Sequence, residues 1–282
     1  MSDTLAELRS GIALLEAEQR LPEILPLLRR AAAVTRLEAG GDSLAYVAVL
    51  NELGSLCRTL KQLDESEAAF VEAAEIESRT RGRDNPEYAT CINNLAGTYR
   101  LRGDFDKAES LFREAIAIYE SEVGNEHFVY LSALNNLGLV YQDLKRYDQA
   151  RDLHQQVLAV LRESGKRDAV YATTLNNLAS VSMATGRYQE AEGFLEETLE
   201  LYGETAGGES VLYLTGLNNL AAVNFMAGEY GEAERHYSQA LGLIERILGS
   251  DHPDRARTER NLERTRQKLA GGTAEEWRQP PA

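Results

Sequence analysis

Asparagine recurs in this chain at two matched sets of positions. An amide offers donors and an acceptor together, so it can pair with both the C=O and the N–H of a peptide backbone. The first set is Asn51, Asn93, Asn135, Asn176 and Asn218; the second is Asn94, Asn136, Asn177, Asn219 and Asn261, with Glu52 ahead of it. Asparagine inside a helix costs about 0.5 kcal/mol or more relative to alanine, so two full columns of it call for a use. Two uses fit the side chain. The amides form a ladder that clamps an extended peptide of any sequence, or they tie neighbouring helices together. One turn after the first set stand Ser55, Gly97, Leu139, Ser180 and Ala222, and two turns after it Arg58, Arg100, Gln142, Met183 and Phe225. These columns diverge, so duplication alone does not explain the constant asparagines, and the divergent side chains are the ones that would select a ligand. Arg58 and Arg100 suit an acidic group; Leu139, Met183, Phe225 and the adjacent Met226 suit a bulky apolar one. Glu52 and Asp143 weaken the cationic character of the same region, and solvated surface arginines are the plain alternative.

Catalytic chemistry has no comparable signature. The four histidines, His127, His154, His236 and His252, are far apart in the chain, and none belongs to an HExxH motif or a metal-spaced cysteine–histidine cluster. No GxGxxG or GxxxxGK[ST] phosphate loop occurs. His154 falls in a column of bulky side chains and Cys57 in a column shared with Tyr99 and Tyr141, so both read as packing residues; Cys91 precedes Ile92, a core position on a neighbouring helix. We therefore expect no enzyme activity, no catalytic residue, no metal and no cofactor.

The elements that must position these columns follow from an internal repeat. Segments aligned at Tyr46, Tyr88, Tyr130, Tyr171 and Tyr213 are separated by 42, 42, 41 and 42 residues, and open YVAVLNELG, YATCINNLA, YLSALNNLG, YATTLNNLA and YLTGLNNLA. Each reads as two helices. The first has apolar residues at helical spacing, such as Ile92, Leu95, Ala96 and Tyr99. After a break at Lys61, Gly103, Lys145, Gly186 or Gly228, the second starts at Leu63, Phe105, Tyr147, Tyr188 or Tyr230. It continues with a small residue (Ser66, Ala108, Ala150, Ala191, Ala233) and then a bulky one (Phe70, Phe112, His154, Leu195, Tyr237). The single 41-residue step falls in the loop around Gly165, where a deletion does not rotate the apolar stripe of a helix.

Composition agrees with a helical, core-forming chain. Of its 282 residues 43 % are hydrophobic and 27 % charged, with six prolines. The net charge of −15 argues against nucleic acid and anionic membranes as partners. It is uneven: residues 255–282 hold seven basic and four acidic side chains, +3, leaving −18 for the rest. No apolar run approaches the roughly 20 residues of a membrane span, the first residues do not read as a secretory signal, and two cysteines are too few for a disulfide framework. A cytoplasmic location is the expectation.

The openings LNNLA and LNNLG, the helix starts GRYQEAE and GEYGEAE, the small residues Ala96, Ala108 and Ala115 with Tyr99 and Phe105 between, and the ending Leu248-Gly249-Ser250-Asp251-His252-Pro253 resemble tetratricopeptide repeats of the long, kinesin-light-chain type, whose period exceeds the usual 34 or so. The resemblance covers about residues 46–270. It implies an all-α fold, a right-handed α-α superhelix of about five helical hairpins with capping helices: residues 1–45 an N-terminal capping pair, repeats at 46–87, 88–129, 130–170, 171–212 and 213–254, a C-terminal capping helix at 255–270, and a flexible tail at 271–282. It also implies that the first helices line a concave groove, and that the protein is a non-catalytic scaffold for a protein or an extended peptide. Kinesin light chains similarly bind cargo peptides with tryptophan or tyrosine among acidic residues. The groove set is then Asn51, Asn93, Asn135, Asn176, Asn218, Arg58, Arg100, Leu139, Gln142, Met183 and Phe225. A regulatory sensor for a signalling peptide, and an accessory subunit that docks by convex or terminal surfaces, remain open alternatives. The sole tryptophan, Trp277, follows Glu275 and Glu276, which suggests insertion of the tail into the groove of its own or a neighbouring molecule; a tail without fixed contacts is the plain alternative.

Overall fold

A computed structural model describes residues 4–249 and 251–271. Those residues form thirteen α-helices and no strand: α1 (Leu5–Ala17), α2 (Leu21–Ala39), α3 (Leu44–Thr59), α4 (Leu63–Arg81), α5 (Pro86–Arg102), α6 (Phe105–Glu122), α7 (Phe128–Asp143), α8 (Tyr147–Glu163), α9 (Ala169–Ala184), α10 (Tyr188–Thr205), α11 (Val211–Ala227), α12 (Tyr230–Ile247) and α13 (Pro253–Leu269). The all-α, hairpin-repeat class read from the sequence is the observed one. The second helices begin at the expected Leu63, Phe105, Tyr147, Tyr188 and Tyr230.

The first helices begin two residues ahead of each repeat tyrosine, and the reason is a column of caps. Ser43, Asn85, His127, Asp168, Ser210 and His252 have extended backbone, and each side chain accepts a hydrogen bond from a backbone N–H of the helix that follows. Such caps satisfy donors that have no partner within the helix. The second helices α4, α6, α10 and α12 have no side-chain cap. They start from the hairpin corner instead. At Lys61, Gly103, Lys145, Gly186 and Gly228 the backbone is left-handed. The next residue's N–H then reaches back to a carbonyl of the helix just ended, as in Gln62 to Cys57 (2.8 Å), Asp104 to Tyr99 (2.9 Å) and Glu229 to Asn224 (2.8 Å). That is the bond pattern of a helix-terminating αL corner.

The chain divides into two compact units, one ending at Leu153 and the other beginning at His154, with the division inside α8. In the first unit each helix from α1 to α6 packs on its successor, and α3 also meets α5, and α5 meets α7. In the second unit α9 to α13 pack in the same sequential way. The interior of each hairpin is set by the small and bulky columns. Ser66, Ala108, Ala150, Ala191 and Ala233 are fully buried, and so are Phe70, Phe112 and His154, with Leu195 and Tyr237 nearly so. The fit is close: a Cβ added at Gly54 would lie 2.8 Å from the Phe70 ring. Burying a side chain of this size stabilises the fold by about 2–3 kcal/mol relative to leaving it exposed. Tail residues 272–282, including Trp277, lie outside the described residues.

Candidate functional site

The first helices carry the asparagine columns, and the structure gives the first column definite work. Asn51, Asn176 and Asn218 each donate from Nδ2 to the carbonyl four residues back: Val47 at 3.2 Å, Ala172 at 2.9 Å and Leu214 at 3.2 Å. The same amides also reach other helices. Asn51 donates to Cys91 Sγ on α5 (3.4 Å), Asn176 to the Tyr202 hydroxyl on α10 (3.2 Å), and Asn218 accepts from the Thr258 hydroxyl on α13 (3.1 Å). Asn51, Asn176 and Asn218 thus tie neighbouring helices. Asn51 and Asn93 keep an Oδ1 that is buried without a partner. Asn135, 3 % exposed, sits beneath the helix face rather than on it. The second column is more open: Asn94, Asn136 and Asn177 are half-buried and Asn219 is exposed.

In the first unit, Arg58 and Arg100 differ in their partners. Arg100 Nη1 pairs with Asp143 Oδ2 at 3.0 Å. Glu52 is held by Arg9. Arg58 instead donates from Nη1 to the backbone carbonyl of Asn94 (3.0 Å) and lies over the Phe70 ring, 5.7 Å from its centre. Among the described residues no carboxylate pairs with it. Its guanidinium is pushed to a lower pKa by burial and then by the nearby Arg100 charge. Gly97 makes this placement possible, since a Cβ there would sit 2.6 Å from Arg58 Nη1. Leu139 and Gln142, on α7, are half-buried.

In the second unit, Met183 packs against the cluster of Ala179, Ala191, Leu195, Leu220 and Val223. Phe225 packs against Ala221, Ala233, Tyr237 and Leu262 and meets the Tyr230 ring edge-on at 5.4 Å. Arg264 of α13 stacks over Phe225, with its guanidinium carbon 4.8 Å from the ring centre. The sequence places Arg264 among the cations of the terminal helix, with Arg255, Arg257, Arg260, Arg266 and Lys268, and its register also puts it in a groove column. Arg264 lies 42 residues beyond Ala222, so the column of Ser55, Gly97, Leu139, Ser180 and Ala222 continues into the terminal helix with an arginine.

The groups that could do covalent chemistry are occupied otherwise. Burial pushes the Cys57 thiol up to about 12 and the Cys91 thiol up to about 11, which disfavours the reactive thiolate. His154 is buried and pushed down to about 4 by burial. His127 and His252 are helix caps. His236 is held in a buried polar cluster: its Nδ1–H donates to Asn224 Oδ1 (2.9 Å), while Asn224 Nδ2 donates to Glu192 Oε1 (2.6 Å). Among the described residues no group of three potential metal ligands converges, and no helix is long and apolar enough to cross a membrane.

A family model described as "Tetratricopeptide repeat" matches residues 46–121, 129–204, 170–243 and 212–275. No curated protein sequence matches the chain at a comparable level. Among solved structures, BtubC (BKLC) from P. vanneervenii is similar at 22 % identity with a TM-score of 0.65, over 89 % of this chain and 95 % of that one. A kinesin light chain protein of Podosopora anserina with nearly identical TPR-like repeats is 22 % identical with a TM-score of 0.63, over 72 % of this chain and 97 % of that one. The apo form of RapI is 14 % identical with a TM-score of 0.61, over 95 % of this chain and 99 % of that one. At these identities the likeness is one of fold.

Proposed function

The chain belongs to the tetratricopeptide repeat family, and from that premise we propose that it is a non-catalytic scaffold that binds a protein segment in extended form along the face of its first helices. Within each unit successive repeats present like helices side by side, and the function of such a scaffold resides in the side chains on those helices. The observation that carries the reading is Arg58. A half-buried guanidinium that lacks a carboxylate is electrostatically unfavourable, and a ligand carboxylate or phosphate beside it would relieve that state through a charge-assisted hydrogen bond. Arg100 stands nearby in the same role once its link to Asp143 opens. Leu139 and Gln142 would choose the ligand side chains that meet the first unit, and Met183 and Phe225 those that meet the second. Asn51, Asn93, Asn176 and Asn218 would keep the helices in register and lend the ligand backbone any amide capacity that the helices leave free, with Asn135 supporting them from below.

The test is binding of extended peptides that carry an aromatic residue beside acidic, neutral or basic residues, measured by fluorescence anisotropy on the full chain. Acidic peptides are expected to bind tightest and to weaken about tenfold, roughly 1.4 kcal/mol, with Arg58→Ala. Equal binding of all three charge classes, or acidic binding that ignores Arg58→Ala, refutes the acidic-ligand reading. Asn135→Ala combined with Asn176→Ala tests the amide column separately: unchanged affinity with retained helicity removes those two side chains from the binding face.

A further inference from the structure

At the far end of the second unit, α11, α12 and α13 enclose a cavity of about 220 Å³ lined by Ala222, Phe225, Met226, Tyr237, Asn261 and Arg264. It is smaller than the roughly 300–1,000 Å³ of small-molecule sites, so it suits one large side chain. Its floor is apolar and aromatic, and Met226 stands 47 % exposed at its edge. One wall, from α13, carries the Asn261 amide and the Arg264 guanidinium, and Tyr237 of α12 brings a phenol. Arg255, Arg257 and Arg266 on the same helix are each paired with a carboxylate. Arg264 has no such partner among the described residues; it lies over the face of Phe225 instead. An aromatic slot beside an uncompensated arginine fits an aromatic residue flanked by acidic ones.

This chain carries such a segment a few residues further on. Glu275 and Glu276 precede Trp277, the only tryptophan. The distance is within reach. From Arg264 to Gly271 the chain advances about 10 Å at 1.5 Å per helical residue, and the six residues from Gly271 to Trp277 span up to about 20 Å when extended. Gly271 has left-handed backbone, φ +82°, the conformation that turns a chain away from a helix axis. We propose that Trp277 docks in the α11–α13 cavity of its own chain, with Glu275 or Glu276 on Arg264, so that the protein covers this end of its first-helix face until a partner displaces the tail. An intramolecular ligand needs little intrinsic affinity, because a short linker supplies an effective concentration in the millimolar range.

Because Trp277 is the sole tryptophan, its fluorescence reports the contact directly. In the full chain we expect blue-shifted emission and weaker acrylamide quenching than in the free peptide of residues 272–282, independent of protein concentration. Arg264→Glu should lower tail occupancy about tenfold and move the emission toward that of the free peptide, with far-UV circular dichroism unchanged. Arg264→Glu combined with Glu275→Arg and Glu276→Arg should restore the shielded signal. Shielding that grows with protein concentration overturns the proposal in favour of a second copy as host. Free-peptide emission in the wild-type chain, or indifference to Arg264→Glu, overturns it outright. These outcomes are independent of the peptide-binding reading, whose failure shows at Arg58 and leaves the tryptophan signal untouched.

Discussion

The two units join successive repeats at the same place with different chemistry. In the first unit the link is a tyrosine. The Tyr99 hydroxyl donates to Glu67 (2.8 Å) and the Tyr141 hydroxyl to Glu109 (2.9 Å). Arg102 closes on Glu67, and Arg146 on Glu109. The ring fills the interior and its tip reaches the carboxylate. In the second unit the column holds Ser182, whose hydroxyl donates to Glu190 within its own hairpin (2.9 Å), and Asn224, fully buried, whose Nδ2 donates to Glu192 at the same spacing in sequence as the tyrosine links. His236 of α12 completes the link to this shorter side chain, bonded to Asn224 Oδ1 and, at Nε2, to Arg235. At that position the first unit has Leu111. One side chain does the job in the first unit, whereas two mutually dependent ones do it in the second. A link made of an amide and an imidazole is more sensitive both to substitution and to pH.

The sharpest way to break the comparison is Asn224→Ala. It leaves His236 Nδ1 and the Glu192 carboxylate without their partner inside the fold and opens a small void. We expect a loss of about 3 kcal/mol, seen as a lower urea midpoint. Asn224→Tyr with His236→Leu, which copies the first unit, should recover most of that loss, while either change alone should not, a coupling that a double-mutant cycle measures. A smaller effect follows from acid. His154 and His236 are both depressed by burial, His154 to about 4 and His236 further by the Arg235 charge. The unfolded chain therefore takes up these protons first, near pH 6.5. Stability that is complete above that value is lost as the pH falls toward 4, by about 2 kcal/mol at pH 5 for His154 alone. In the first unit, burial raises the Glu67 carboxyl but the Tyr99 and Arg102 bonds outweigh it, and Glu109 is lowered in the same way by Tyr141 and Arg113. Their contribution is present above the ordinary carboxylate pKa and fails only below it. Hydrogen exchange followed from pH 7 to 4 should show the second unit opening before the first; simultaneous opening contradicts the difference drawn between the two links. Tyr99→Phe, which removes one hydrogen bond to a charged group, should cost about 1.5 kcal/mol, less than Asn224→Ala by the margin of the second stranded group.

The sequence revealed the fold to the extent that packing is periodic. The small and bulky columns fixed which side chains meet, and the breaks at Lys61, Gly103, Lys145, Gly186 and Gly228 fixed where the second helices start. The caps Ser43, Asn85, His127, Asp168, Ser210 and His252 were equally periodic, but their identities vary because several side-chain types can accept a backbone N–H, so no single letter repeats. The site was less legible. The constancy of Asn51, Asn176 and Asn218 was open to two uses, and their ties to Cys91, Tyr202 and Thr258 depend on which helix lies alongside, a matter that no periodicity encodes. The open state of Arg58 rests on Gly97, 39 residues away in sequence, and the missing side chain is visible only once both helices are in place. The Asn224–His236 pair departs from two columns at once, Tyr99 and Tyr141 in one and Leu111, Leu153 and Phe194 in the other, so each residue alone reads as an irregularity and only their contact explains them.

The hairpin corners extend the comparison with the smallest expected effect and the opposite sign. In the second unit the left-handed corner residues are Gly186 and Gly228; in the first they are Gln19, Lys61, Gly103 and Lys145. A residue with a Cβ in that conformation is strained by about 1–2 kcal/mol relative to its usual backbone, and glycine is not. Part of that gain is returned because glycine is freer in the unfolded chain. Lys145→Gly and Lys61→Gly should therefore each stabilise the protein by about 0.5–1 kcal/mol, read as a raised urea midpoint with unchanged slope, and the two gains should add because the corners lie in separate hairpins. Gly186→Lys and Gly228→Lys should lose as much. If the exchanges at Lys61 and Lys145 were neutral while those at Gly186 and Gly228 were costly, the corners of the first unit would be held by a lysine contact that offsets the strain, and the two units would differ at the corner as well as at the link.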